Sequence, residues 1–371
     1  MQGGAADREL GLWEGSLPCT IAILAFSHKD LQGARERREP MNQRDRIRKT
    51  LKGERVDRPA MCFWRHVYDR EGTAEALSEA MLAFQHAYDW DLLKVNPRAS
   101  YHVEGWGVET RRAGTGPLDK PKVVRSPIRE PHDWDLIRPI DPTKGALGEM
   151  LDAEERIAAE IQGEVDWLMT VFNPISIVAD LVNDDALFVD HLRRHGERVH
   201  GGLRAISETF SLFVRETMQR GCSGIFFATT DWGNATLIDK QLLEEFGRPY
   251  DLRVLAEAQR GLLNTLHVCG PNAFVKEHLD YPVSVLSWAA HDPSNPSLAD
   301  LRPLTDKTFL AGIDHEKTMV EGPAEAVQAA ARAAIDASGG SRFILGPGCA
   351  VPSAAPDRHF AAAREAVLAC A

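Results

Sequence analysis

With 371 residues, 44% of them hydrophobic and 26% charged, the chain can bury a full core as one large α/β domain or as two smaller ones. A formal net charge of −11 argues against a nucleic-acid surface, which wants a concentrated basic stripe; the basic residues between Arg35 and Arg58 are interleaved with acidic ones and read as a solvated helix face. Six cysteines do not make a disulfide framework at this length, and the one early apolar stretch, Leu17 to Phe26, is too short to span a bilayer and has no basic region before it. No membrane segment or signal peptide is expected, and a reducing cytoplasm is the expected compartment.

In chain order, residues 1–40 read as a poorly ordered extension and residues 41–371 as the folded domain. Asn42 is placed to cap a helix that carries Ile47 and Leu51 on one face and ends at Gly53 and Pro59. Eight runs of strand character follow: Ala60 to Trp64, Asp91 to Val95, Asp166 to Val171, Gly224 to Thr229, Leu262 to Val268, Val283 to Trp288, Thr308 to Ile313 and Arg342 to Pro347. Several are nearly continuous apolar segments, as parallel strands covered on both faces require. Amphipathic helical patterns fill most gaps, notably Thr73 to Tyr88, Asp185 to Arg220, Asp239 to Arg260 and Pro323 to Ser338. Eight strands alternating with helices predict a single-domain (β/α)8 TIM barrel. The stretch after Val95 predicts a hairpin or lid inserted after the second strand, before a short helix near Leu147 to Ile161.

Barrel enzymes carry their chemistry on the loops that follow the strands. Those positions hold Arg65, His66 and Tyr68 after the first run, Asn96 after the second, Asp231 and Trp232 after the fourth, His267 and Cys269 at the fifth, His291 and Asp292 after the sixth, Asp314 and His315 after the seventh and Cys349 after the eighth. His267 and Cys269 are two apart in an extended segment and project to one side. Cys349 sits in "GPGC", where the glycines and proline imply a sharp turn and close approach. Three such ligands on one rim predict a zinc ion with an open position. The plain alternative, cysteine as a small buried hydrophobe, suits Cys62 and Cys222 better. Two thiolates would cancel the charge of the ion, so bound water is acidified less than in a His-rich hydrolase site, whereas a bound thiol becomes a nucleophilic thiolate. Sulfur alkylation therefore fits better than hydrolysis.

The segments "RDRIRKTLKGERVDRPAMCFW", "DLVNDDALFVDHLRRHGERV", "LIDKQLLEEFGRPYDLRVL" and the closing run from "GIDHEK" to "GPGCAVP" resemble the uroporphyrinogen decarboxylase superfamily from about Met41 onward. "HVCG" followed by "GPGC" is similar to the zinc motif of its corrinoid-dependent methyltransferases, which move methyl groups between a corrinoid protein and a thiol such as coenzyme M. The resemblance implies a (β/α)8 barrel with His267, Cys269 and Cys349 as zinc ligands. It departs from the decarboxylases: their catalytic Asp corresponds to Asn96, their late His to Pro347, and of their paired arginines Arg65 is retained while the second falls on Asp69. The acidic contact that some relatives use near the sixth strand has no counterpart at Trp288, Ala289 or Ala290, so His291 or Asp292 either substitutes or is a turn residue.

Asp231 and Asp314 are the candidate catalytic carboxylates, with helix capping or buried hydrogen bonding as their alternatives. Arg65, Asn96, Trp232 and His291 are the candidate substrate-binding residues: Arg65 would meet an anion or bridge a carboxylate, and Trp232 would wall a pocket or pack in the core. No "DxHxxG" cobalamin pattern occurs, so any corrinoid must arrive on a partner protein, with the insert after Val95 as docking surface or lid. The expected partners are a corrinoid protein and a small thiol, and a homodimer is compatible with this reading. Three functions follow for test: zinc-dependent methyl transfer, a metal-free tetrapyrrole carboxy-lyase, or a non-catalytic tetrapyrrole or corrinoid binder.

Overall fold

The structure, a computed structural model, describes residues 40–370. The expected N-terminal extension lies outside them, save Pro40. Asn42 caps α1 (Gln43–Lys52) by accepting the N–H of Asp45, and Gly53 ends the helix at φ 72°. Ile47 from this helix packs into the barrel interior, and Arg46 and Arg58 both bond the buried carboxylate of Asp91, so α1 closes the bottom of the barrel.

Strands β1 (Ala60–Met61) and β2 (Leu92–Val95) flank α2 (Ala74–Tyr88). The insert after β2 holds an antiparallel hairpin, β3 (Glu109–Arg111) and β4 (Lys122–Arg125), and leads to α3 (Gly145–Ile161). Then come β5 (Asp166–Phe172), α4 (Pro174–Val182), α5 (Asp185–Arg194), α6 (Gly196–Gln219), β6 (Gly224–Ala228), α7 (Lys240–Leu242), α8 (Arg248–Leu255), β7 (Thr265–Val268), β8 (Val285–Trp288), α9 (Leu298–Leu301), β9 (Thr308–Ile313), α10 (Ala324–Ala337), β10 (Phe343–Pro347) and α11 (Asp357–Leu368). All eight barrel strands pair in parallel in the order β1-β10-β9-β8-β7-β6-β5-β2, and Asp91 N–H donates to Met61 O across the remaining seam. This is a single-domain (β/α)8 barrel.

Strand parity divides the core in two. Cys62, Trp64, Leu92, Leu168, Phe226, Val285, Leu310 and Ile344 fill the barrel, while the alternate residues pack outward on the helices. Cys62 and Cys222 are buried; desolvation pushes the Cys62 thiol up to about 12, as inert core cysteines require.

The helical patterns differ from expectation in two places. Asp185 to Arg220 breaks at His195 (φ −133°, ψ 30°), where Gly196 packs so tightly on Phe246 that a Cβ would lie 3.0 Å from its ring. Asp239 to Arg260 contains a wide turn at Leu243–Gly247, because Pro249 has no N–H to give and its ring blocks a regular turn. Two helices, α4 and α11, were not among the expected ones; α4 is buried nearly all round, whereas α11 buries one face through His359, Phe360, Ala363 and Val367. Among the described residues no helix is long and apolar enough to cross a membrane.

Candidate metal centre

The run "TLHVCG" ends β7 at the C-terminal rim, and inward parity carries His267 and Cys269 to the barrel axis. Cys269 lies in a turn that Gly270 makes possible. At φ 80° this residue takes a left-handed conformation, and a Cβ there would come 2.7 Å from Asn234 Nδ2. Asn295 fixes the same turn by donating to Gly270 O and Ala289 O at 3.0 and 3.1 Å. Across the axis, β10 ends at Pro347, and Gly348 N–H donates to Ile313 O, which turns Cys349 inward.

The two sulfurs lie 3.4 Å apart, and the ligand atoms of His267, Cys269 and Cys349 all fall within 4.8 Å of one another. His267 is 3% exposed, stacked on Phe226 and edge-on to Trp64. Ser287 Oγ engages its Nδ1 at 3.1 Å, whereas its Nε2 is buried with no hydrogen-bond partner. An unpartnered imidazole nitrogen beside two converging sulfurs is the donor arrangement that a tetrahedral zinc site presents to its ion. The donor set thus fits zinc, with Ser287 orienting the ring from behind.

Without a cation the sulfurs share a proton. The hydrogen bond from Cys269, helped by nearby His267, holds the Cys349 thiol well below the ordinary range. The same bond, with burial, holds Cys269 well above it. A divalent cation would displace that shared proton.

A cavity of about 140 Å³ opens onto the three donors, with Lys94, Asn96, Thr170, Phe172, Phe226 and Asp231 in its wall. Of the other expected site residues, Asn96 and Asp231 therefore line the same cavity as His267, Cys269 and Cys349. Burial and the neighbouring Cys349 raise the Asp231 carboxyl pKa. Arg65 instead ion-pairs with Asp357 at 2.8 Å and donates to Ala355 O, and Trp232 packs against Phe188 in the core; neither lines the cavity. His291 and Asp314 pair with each other, with His291 Nε2 3.7 Å from Asp314 Oδ1, outside the cavity. The hairpin of β3 and β4 contributes no residue to the cavity wall.

Lys94 is the group that sequence reading passed over. It is 5% exposed and, among the described residues, pairs with no carboxylate; its ammonium donates to Asn96 Oδ1 and lies 4.7 and 5.3 Å from the ring centres of Phe226 and Trp64. Burial pushes its pKa down to about 7. Asn96 Nδ2 is also buried without a partner. A charge inside the apolar run "LLKV", on the same parity as Leu92, was the available signal.

Gly348 belongs to the site for steric reasons. A Cβ there would meet His291 Cε1 at 2.5 Å, so Gly348→Ala is expected to destabilise the metal-free protein by about 1–3 kcal/mol through overpacking. His291→Ala should relieve most of that cost, and urea unfolding of the double-mutant cycle measures it. Additive losses would show that the ring and the glycine do not compete for space.

The fold and the site together define a (β/α)8 barrel protein with a sulfur-rich three-donor cluster on its C-terminal rim. The sequence model of the uroporphyrinogen decarboxylase (URO-D) family matches residues 42–369, and the chain belongs to that family. Among solved structures, the barrel is similar to a methyltransferase from Methanosarcina mazei, with a TM-score of 0.71 and 17% identity over 88% of this chain and 98% of that one. A B12-independent methionine synthase from Shewanella sp. W3-18-1 gives a TM-score of 0.48 and 13% identity over 80% of this chain and 86% of that one. No curated protein matches the chain.

Proposed function

We propose that this protein is a zinc-dependent methyltransferase that moves a methyl group between a corrinoid carried by a partner protein and a small thiol. The observation that carries this reading is the convergence of two sulfurs 3.4 Å apart with the unpartnered His267 Nε2. Membership of the URO-D family and the fold shared with a protein described as a methyltransferase are consistent with it.

His267, Cys269 and Cys349 would hold the ion. When bound, zinc supplies a Lewis acid that lowers the pKa of a thiol and fixes its sulfur. Asp231, in the cavity wall, would take the proton released by the thiol. Lys94 offers a positive charge to the sulfur as it becomes anionic, and Asn96 Nδ2 offers a second donor. Trp64, Phe172 and Phe226 keep bulk water from the nucleophile. A cavity of about 140 Å³ is a few water volumes in size, which suits a small thiol and leaves a corrinoid at the mouth, on its carrier.

The carboxy-lyase reading is disfavoured by Asn96, a neutral amide where that reaction needs a carboxylate, and by the same small volume. The deciding experiment incubates the protein with methylcobalamin and a panel of small thiols, with and without a zinc chelator. We expect about one zinc at the thiolate centre of each chain and thioether formation that is lost on chelation and restored by zinc. Thioether formation unaffected by chelation, or tight cobalamin binding by a protein that takes up no metal, would overturn the assignment.

A further inference from the structure

Strands β8 and β9 are neighbours in the barrel, and the residues after them assemble a second donor set on the same rim. His291, Asp314 and His315 place one ligand atom each within 4.8 Å of one another, and the two imidazole ring centres are 5.9 Å apart. Helix capping explains only part of this cluster. Asp314 Oδ1 accepts the N–H groups of Glu316 and Lys317 at 2.9 and 3.1 Å, which starts the following turn. That pair of bonds also fixes the carboxylate plane, as outer bonds do for metal-binding carboxylates, and its Oδ2 accepts no hydrogen bond among the described residues. His315 Nδ1 is buried with no partner, and burying an unsatisfied polar atom costs about 1–3 kcal/mol. His291 is seated tightly on Gly348, where even a methyl group would collide with it.

We propose that His291, Asp314 and His315 form a second divalent-cation site, separate from the thiolate centre. Two imidazoles and one carboxylate make a donor set suited to a borderline first-row ion such as Fe²⁺, Co²⁺ or Zn²⁺, with positions left open for an oxygen-donor ligand. Room for that ligand exists. A cavity of about 400 Å³ reaches His291 and Asp314 between Leu298, Gly312, Thr318 and Ala330, and it shares no lining residue with the cavity over the sulfurs. The two centres are nevertheless adjacent along the backbone, because Gly348, against which the His291 ring packs, immediately precedes Cys349. This inference stands apart from the methyl-transfer reading, since its donors, cavity and ligand chemistry differ.

Cobalt titration of the metal-free full chain tests it. Thiolate-bound Co²⁺ shows a sulfur-to-cobalt charge-transfer band and nitrogen/oxygen-bound Co²⁺ does not, so each site reports separately. We expect the wild type to take up two equivalents, one with the band and one without. The double variant His291→Ala/His315→Ala should keep the first and lose the second, and Cys349→Ala should do the reverse. Asp314→Asn retains the acceptor that caps the turn while removing the charge, and should weaken the second equivalent by at least about 10-fold. Saturation of the wild type at one equivalent that carries the band, or an unchanged second equivalent in the double variant, overturns the proposal. Absence of the band with one equivalent still lost in the double variant would sink the thiolate centre and leave this site standing.

Discussion

Cys349→Ala is expected to lose tight zinc binding while keeping the fold. The sulfur is one of only three protein donors, and its removal should cost more than the roughly 10–100-fold lost when a residue behind a ligand is mutated; we expect an increase in Kd of about 10³-fold or more, about 4 kcal/mol. The barrel itself should barely notice, because the side chain that is lost is small and Gly348 N–H still holds the turn to Ile313 O. Competition with a chromophoric chelator measures the affinity, and thermal melts with and without zinc measure the linkage: zinc should raise the Tm of the wild type by clearly more than that of the variant, which has lost the thiolate centre. Methyl transfer to a thiol should disappear with the metal. A variant that binds zinc as the parent does would remove Cys349 from the centre.

Lys94→Met is expected to stabilise the metal-free protein and to depress its activity. The folded barrel pushes this ammonium from 10.5 to about 7, so the folded state binds the proton less tightly than the unfolded state. The sign follows. Below pH 7 the lysine carries its full burial cost; between pH 7 and 10.5 the unfolded chain holds more protons than the folded one, so this contribution rises with pH and is complete near 10.5. A gap of about 3.5 pH units corresponds to about 5 kcal/mol as an upper figure. The difference in stability between variant and parent, from urea unfolding at several pH values, should therefore favour methionine most below pH 7 and shrink toward pH 10.5. A difference that does not change with pH would mean that the amine is not desolvated. Under the proposed function, the loss of a fixed positive charge beside the reacting sulfur should lower kcat/KM by about 10²-fold. Destabilisation together with unchanged turnover would make Lys94 a packing residue only.

Both predictions turn on side chains that differ in how visible they were. All eight strands were found because parallel barrel strands are covered on both faces and read as nearly continuous apolar runs. Their ends were less visible. The run from Leu262 to Val268 becomes strand only at Thr265, and just before it the Asn264 side chain ties the turn to Ala258 O and Ile225 N–H. "HVC" and "GPGC" stood out because ligand spacing and glycine content are local properties.

Arg65 and Trp232 illustrate the opposite case. Each follows a strand, as a rim residue should, but its side chain goes to whichever partner the packed fold brings within reach. For Arg65 that partner is Asp357, 292 positions along the chain; for Trp232 it is Phe188 on α5. Lys94 was hidden for the converse reason, being a charge inside an element whose neighbours are apolar, where strand parity alone points it at the centre.

The sequence by itself determined the barrel beat, the candidate soft donors and the absence of a carboxylate at Asn96, because each follows from residue type and short-range spacing. Only the tertiary structure decided that two sulfurs 80 positions apart would meet at 3.4 Å, that Lys94 would share their cavity and that His291, Asp314 and His315 would gather beside them. Those meetings depend on which strands close the barrel as neighbours or face each other across its axis, a long-range geometry that no local pattern of residues encodes.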